Sequence, residues 1–257
     1  MFFYFWQMTR YFIFLTFEGT NYHGWQMQPN AITVQQTLEN ALILILGEKI
    51  SLTGAGRTDT GVHAAIFCAH FDSYRDNIDS DKKLIFRLNN FLPDDIAIKS
   101  IKRVIPEANA RFSAISRTYQ YCIQKTKNPF KQQWSWHINY PLNVSLMNTA
   151  CDILKKYTDF TSFSRLHSDA KTNICNISSA EWIENENEII FSITANRFLR
   201  NMVRSIVGTM VDLGLGKISI EDFKKIIEDK DRCKAGKSAP AKGLFLTGIN
   251  YPENIFL

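Results

Sequence analysis

Residues Gly54-Ala-Gly-Arg-Thr-Asp-Thr-Gly-Val-His-Ala64 set a carboxylate, Asp59, two positions from a guanidinium, Arg57, in a run with three glycines. Glycines allow tight backbone conformations, so a phosphate cradle is the first chemistry to test. The spacing excludes both common forms. A Walker loop needs Gly-Lys-Ser/Thr, which this segment lacks. Gly236-Lys-Ser238 occurs later, but the earlier glycine of that pattern would fall at Asp231. The dinucleotide fingerprint would need glycine at 59, which is the aspartate. What remains is a lone carboxylate on a Gly-bracketed loop. A turn aspartate that satisfies its own backbone accounts for the same residues, and the segment alone leaves both readings open.

Two further groupings carry side chains suited to nucleic acid. In Asn196-Arg-Phe-Leu-Arg-Asn-Met-Val-Arg204, Arg197, Arg200 and Arg204 fall within about 60° of one another if the segment is helical. Leu199, Met202, Val203, Ile206, Val207 and Met210 supply the neighbouring apolar face. Such a guanidinium row binds phosphate, or it is a solvated basic face. In Arg111-Phe-Ser-Ala-Ile-Ser-Arg-Thr-Tyr-Gln-Tyr121, Arg117, Tyr119 and Tyr121 share one face of a strand. Exposed there, they would stack on bases; turned inward, they are ordinary core tyrosines.

The elements that must position these groups follow from periodicity. Arg10–Phe17 reads as a strand ended by Gly19. Thr33-Val-Gln-Gln36 reads as a capping box before a helix carrying Leu38, Ala41, Leu42 and Ile45, and Gly47 ends it. A short strand at 49–52, a strand at 63–71, a helix at 81–90 and a strand at 95–104 complete a β-α-β-β-α-β order. The second half repeats it: strand 117–125, helix 145–157, strands 174–184 and 188–195, helix 198–213, an added helix at 219–229, and strand 244–250. The expected fold class is α/β (α+β), with two ferredoxin-like halves around a mainly antiparallel sheet. The expected division is residues 10–105 and 106–257, the second half carrying the basic helix, with residues 1–9 outside the fold.

Composition bounds the function classes. The chain has 257 residues, 45% hydrophobic and 21% charged, which excludes disorder and collagen-like repeats. A net charge of +5 permits a nucleic-acid partner without requiring one. Five scattered cysteines form no CxxC pair and suit a reducing, cytoplasmic compartment. The five histidines show no HExxH spacing, so no metal site is expected. The opening MFFYFWQ lacks a basic n-region and a cleavage site, and it is shorter than the ~20 residues that span a bilayer. It reads as an upstream extension, with Met8 the expected start, and no membrane partner is expected.

The motifs together resemble the TruA family of tRNA pseudouridine synthases. The resemblance rests on Arg10-Tyr, Phe17-Glu-Gly-Thr-Asn-Tyr-His-Gly-Trp-Gln26, Thr33-Val-Gln35 and Gly56-Arg-Thr-Asp-Thr-Gly-Val-His-Ala64. It continues through Asn89-Asn-Phe-Leu-Pro93, Ala110-Arg-Phe-Ser-Ala114, Arg117-Thr-Tyr-Gln-Tyr121, Asp159-Phe-Thr-Ser-Phe163, Phe198-Leu, Met202-Val-Arg204, Ile206-Val-Gly208 and Ala239-Pro-Ala-Lys-Gly-Leu-Phe-Leu246. These run in order over nearly the whole chain. The resemblance implies a cofactor-free, metal-free isomerase that converts uridine to pseudouridine at positions 38 to 40 of the tRNA anticodon stem-loop, as a homodimer with a basic cleft. It implies Asp59 as the catalytic aspartate, Arg204 as its basic partner, Tyr119 as the tyrosine stacking on the target base, and Leu244 as part of the uracil pocket. Arg57 would contact the flipped nucleotide, and Arg197 and Arg200 the RNA backbone. The chain departs from the family pattern at Asn109 and Thr158, where histidine is frequent, and at Thr60, where alanine is common.

Two other classes compete. A non-catalytic RNA-binding module of the same fold would need no carboxylate at 59. A glycosidase or nucleosidase would place two carboxylates across the bond, and the Asp59 loop supplies one.

Overall fold

A computed structural model describes residues 8–165 and 171–257. Residues 1–7 of the expected extension, and His167, lie outside the described residues. Thr9, assigned to the extension, is already the first residue of a strand. The chain divides into two compact units. One runs to Ile115 and takes back Ile249–Leu257; the other is Ser116–Gly248. The observed division therefore lies at 115/116 rather than 105/106, and the last residues return to the first unit. Backbone bonds account for this, since Ile105 N–H donates to Ile255 O (2.9 Å) and Ile115 N–H to Asn250 O (2.8 Å).

The first unit contains β1 (Thr9–Phe17), α1 (Val34–Leu46), β2 (Thr53–Gly54), β3 (His63–Ser73), α2 (Lys82–Phe91) and β4 (Ile96–Arg103). β1 pairs antiparallel with both β3 and β4, and β2 pairs antiparallel with β3. β1 is therefore a central strand, and Tyr11, Phe12, Ile13 and Leu15 on it are all fully buried. α1 starts where Thr33 Oγ1 accepts from Gln36 N–H (3.4 Å) and stops at Gly47, which is left-handed at φ +69°. The strand expected at 49–52 is replaced by the two-residue β2. Leu52 has its backbone bonds taken by α1 side chains: its N–H donates to Glu39 Oε1 (2.7 Å) and its carbonyl accepts from Gln35 Nε2 (3.0 Å). The same bond satisfies the buried Glu39.

The second unit contains β5 (Ser116–Gln124), β6 (Trp136–His137), α3 (Val144–Leu154), β7 (Ile177–Glu184), β8 (Glu188–Ala195), α4 (Met202–Gly214), α5 (Ile220–Glu228) and the start of β9 (Leu244–Asn250). β8 pairs antiparallel with β5 and β7, and β6 adds a short parallel pairing to β5. With β9 beside β5, the lateral order is β9-β5-β8-β7, and that of the first unit is β4-β1-β3-β2. Leaving out the two-residue β6, which lies off this path, the strands of each unit read fourth, first, third, second, which is the split βαβ arrangement. Met147, Ala150 and Leu154 of α3 and Ile206, Val207 and Met210 of α4 are fully buried in this unit's core. Among the described residues, no helix is long and apolar enough to cross a membrane.

Candidate active site

Asp59 lies on the connection from β2 to β3, and a second loop, residues 19–25, is packed against that connection. The glycines of the second loop make the fit. A methyl group added at Gly19 would lie 2.1 Å from the Val62 carbonyl oxygen; one added at Gly24 would lie 2.2 Å from that of Thr58 and 3.3 Å from the Asp59 carbonyl carbon. Gly24 also holds φ at +84°, a conformation costly for other residues. Hydrogen bonds close the joint: Trp25 N–H to Thr58 Oγ1 (3.0 Å), Gly61 N–H to Tyr22 O (3.3 Å), and Gly19 N–H to the buried His63 Nδ1 (3.0 Å). Val62 N–H returns to Asp59 O at 3.2 Å. Trp25 stacks on Phe67 with centroids 4.2 Å apart. Asp59 is thus half-buried on a turn braced from one side, and Arg57 is exposed.

The second unit holds the other expected residues. Tyr119 is half-buried on β5, opposite Ile193 of β8, and its ring meets Phe198 edge-on at 5.1 Å and 90°. Tyr121, for which the sequence left a stacking face and a core position both open, is a core residue. It is fully buried, its hydroxyl donates to Pro240 O (2.8 Å), and burial pushes its phenol well above the usual range. Arg117 Nη1 donates to Asn196 O (3.0 Å). Leu244 is buried at the start of β9.

Arg204 sits in the first turn of α4, half-buried. Its Nε donates to Ala239 O (2.8 Å), and Ala239 N–H returns to Arg204 O (2.9 Å). The first bond ties the guanidinium, and the second the helix backbone, to Ala239. Gly208 lets the 237–239 segment lie on the helix, since a methyl group there would meet the Lys237 carbonyl oxygen at 1.8 Å. The helix expected from residue 198 begins only at Met202, so the row of three guanidiniums does not form. Asn201 is left-handed at φ +66°, and Asn196 Oδ1 captures the N–H groups of Arg197 (2.9 Å) and Asn176 (2.8 Å), a local competitor of helix. Arg197 and Arg200 precede the helix. Arg197 Nη1 donates to Thr172 O (3.3 Å), and Arg200, exposed, accepts at its carbonyl from Arg165 N–H (3.1 Å).

Other sequence features resolve as supports. Asp159 Oδ1 accepts from Thr161 N–H (3.1 Å) and hydroxyl (2.6 Å), and Oδ2 pairs with Lys230 (2.9 Å). Burial works against the charged form there, but Thr161 and Lys230 outweigh it and hold the carboxyl below its ordinary range. Asn109, a departure from the family pattern, caps its own turn by accepting from Arg111 and Phe112 N–H. Among the described residues, no group of three or more His, Cys, Asp or Glu side chains could hold a metal ion. Sequence reading left unassigned the 19–25 brace and the ring of Phe198; the Gly19 and Gly24 spacing was the available signal for the first.

The fold is a duplicated split βαβ arrangement, with a braced carboxylate turn in one unit and a sheet tyrosine and a helix-borne arginine in the other. The model of the family described as tRNA pseudouridine synthase matches residues 13–113 and 157–252. The tRNA pseudouridine synthase A of Bacteroides fragilis is 52% identical over 248 residues, 96% of this chain and 98% of that protein. The protein of the same name from Thermoanaerobacter pseudethanolicus is 42% identical over 246 residues, 95% of this chain and 100% of that protein. The chain belongs to the tRNA pseudouridine synthase family, and it is an isomerase of that class.

Proposed function

We propose that the chain converts uridine to pseudouridine at positions 38, 39 and/or 40 of the tRNA anticodon stem-loop, with Asp59 as the catalytic carboxylate. The reaction breaks the C1′–N1 bond, turns the uracil and forms a C1′–C5 bond; C5 loses a proton and N1 gains one, so no co-reactant is consumed. An ionised carboxylate beside the ribose serves as nucleophile at C1′ or as base at C2′. Arg204 is its basic partner. Tyr119 holds the released uracil by stacking and accepts or relays the C5 proton. Leu244 lines the uracil pocket, Arg57 contacts the extruded nucleotide, and Arg197 and Arg200 serve the RNA backbone. The reading includes no cofactor, and it has the enzyme working as a homodimer in the cytoplasm.

The observation that supports this most is the braced Asp59 turn. A carboxylate fixed by backbone packing on a rigid turn is preorganised for an in-place reaction, and a solvated turn aspartate needs no such brace. The test is pseudouridine mapping on an unmodified tRNA transcript with uridines in its anticodon arm, without added metal or cofactor. Conversion at positions 38 to 40 by the parent, and none by Asp59→Ala despite retained tRNA binding, is the expected outcome. Conversion by Asp59→Ala would remove the aspartate from the chemistry. Binding without conversion by either protein would favour an RNA-binding module.

A further inference from the structure

The turn between β4 and β5 turns two large side chains outward that the reaction above does not use. Phe112 is 78% exposed, and the exposed Arg111 has its guanidinium carbon 5.4 Å from the Phe112 ring centroid. The backbone beneath them is held by a set of hydrogen bonds. Arg10 Nη1 donates to Ala108 O (3.1 Å), Ala110 N–H to His70 Nδ1 (3.1 Å), and the Tyr251 hydroxyl to Ala110 O (2.6 Å). Asn109 Oδ1 accepts from Arg111 N–H (2.9 Å) and Phe112 N–H (3.1 Å). Asn109 N–H donates to Ser113 Oγ (2.9 Å), and Ser113 N–H to Asn109 O (2.9 Å). Ala108 and Ala110 are buried on the inner side.

None of these bonds depends on the Phe112 side chain. An exposed phenylalanine forgoes burial that is worth about 1.5–3 kcal/mol elsewhere, and a polar residue would serve the turn equally well. The pinned backbone removes the entropy that a loose loop would lose on binding, so the ring is presented ready for a contact. The guanidinium stands over one face of the ring, and the ring, 78% exposed, still offers apolar surface to an aromatic base whose attached phosphate the guanidinium can take.

We propose that Arg111 and Phe112 form a stacking platform for an unpaired nucleotide of the RNA substrate, Phe112 taking the base and Arg111 the phosphate. The proposal rests on the RNA-substrate reading above. Stacking on an aromatic face is tolerant of base identity, so the platform contributes to affinity and register rather than to choice of uridine.

The test compares the parent with Phe112→Ala, Phe112→Trp and Arg111→Gln by tRNA affinity over a range of salt, thermal midpoint and sedimentation. Phe112→Ala is expected to weaken binding of an unmodified tRNA transcript by about 5- to 100-fold with an unchanged midpoint, and Phe112→Trp to restore it. Arg111→Gln is expected to reduce the slope of log affinity against log salt by about one. A parent that converts tRNA, with a Phe112→Ala variant of parental affinity, overturns the platform and leaves the enzyme standing. A Phe112→Ala variant of parental affinity and altered oligomeric state overturns it in favour of a contact between copies of the chain. A parent that binds no tRNA overturns this proposal together with the functional reading.

Discussion

The backbone of Gly24 lies so close to that of Thr58 that a single methyl group at 24 would stand 2.2 Å from the Thr58 carbonyl oxygen. Thr58 immediately precedes Asp59, so any relief of that overlap moves the carboxylate. Gly24→Ala adds the cost of a left-handed alanine, about 1–2 kcal/mol, to the displacement. We expect it to lower single-turnover conversion by about 100-fold, the scale set by misplacement of a reacting group by ~1 Å, while tRNA affinity stays within a few-fold of the parent. An equal loss of affinity and rate would show that the variant damages the unit as a whole.

Phe198 meets the ring of Tyr119 edge-on, with centroids 5.1 Å apart, a contact that restricts the ring's plane. Edge-to-face pairs contribute roughly 0.5–1.5 kcal/mol. Phe198→Leu keeps apolar volume and removes the oriented edge. It is expected to reduce kcat about 3- to 10-fold with a near-parental pH profile, and a proton-transfer role for Tyr119 predicts an altered profile only on Tyr119→Phe. A parental kcat in Phe198→Leu would remove Phe198 from the positioning of Tyr119.

His70 makes the first unit sensitive to acid. Its Nδ1 accepts the Ala110 N–H bond, and burial, with Arg10 close by, holds its pKa down to about 4. The unfolded imidazole titrates near 6.5. Between those values the unfolded chain binds a proton that the native chain does not. His70 therefore contributes stability in full above about pH 6.5 and loses it as pH falls toward 4, with a slope of at most about 1.4 kcal/mol per pH unit. His70→Asn keeps an acceptor for Ala110 and does not titrate. Its unfolding midpoint should fall less than the parent's between pH 7 and pH 5; equal falls would place the acid sensitivity elsewhere.

How much of this was legible in the sequence depended on where each backbone bond goes. β8 and β9 were read with their observed bounds, because their apolar alternation is answered by ladder partners. The Asp59 segment stood out through its residue types. Its brace did not, because the close approach of Gly24 to Thr58 joins positions far apart in sequence and leaves no periodicity. The strand expected at 49–52 failed because Glu39 and Gln35 take the bonds of Leu52. The guanidinium row failed because an asparagine side chain at 196 and a left-handed Asn201 hold back the helix. In each failure a polar side chain competed with the backbone, and hydrophobic spacing carries no record of that.

The return of residues 249–257 to the first unit orders events during synthesis. Tyr251 and Phe256 pack on Phe12 and Phe14, with centroids between 5.0 and 6.4 Å apart. A nascent chain translated through Gly248 holds every residue of the second unit and lacks two of those four rings of the first. The half made earliest is therefore completed last, and the carboxylate turn belongs to that half. The Asp59 turn lies in a unit whose packing waits for residues made after the whole of the other unit.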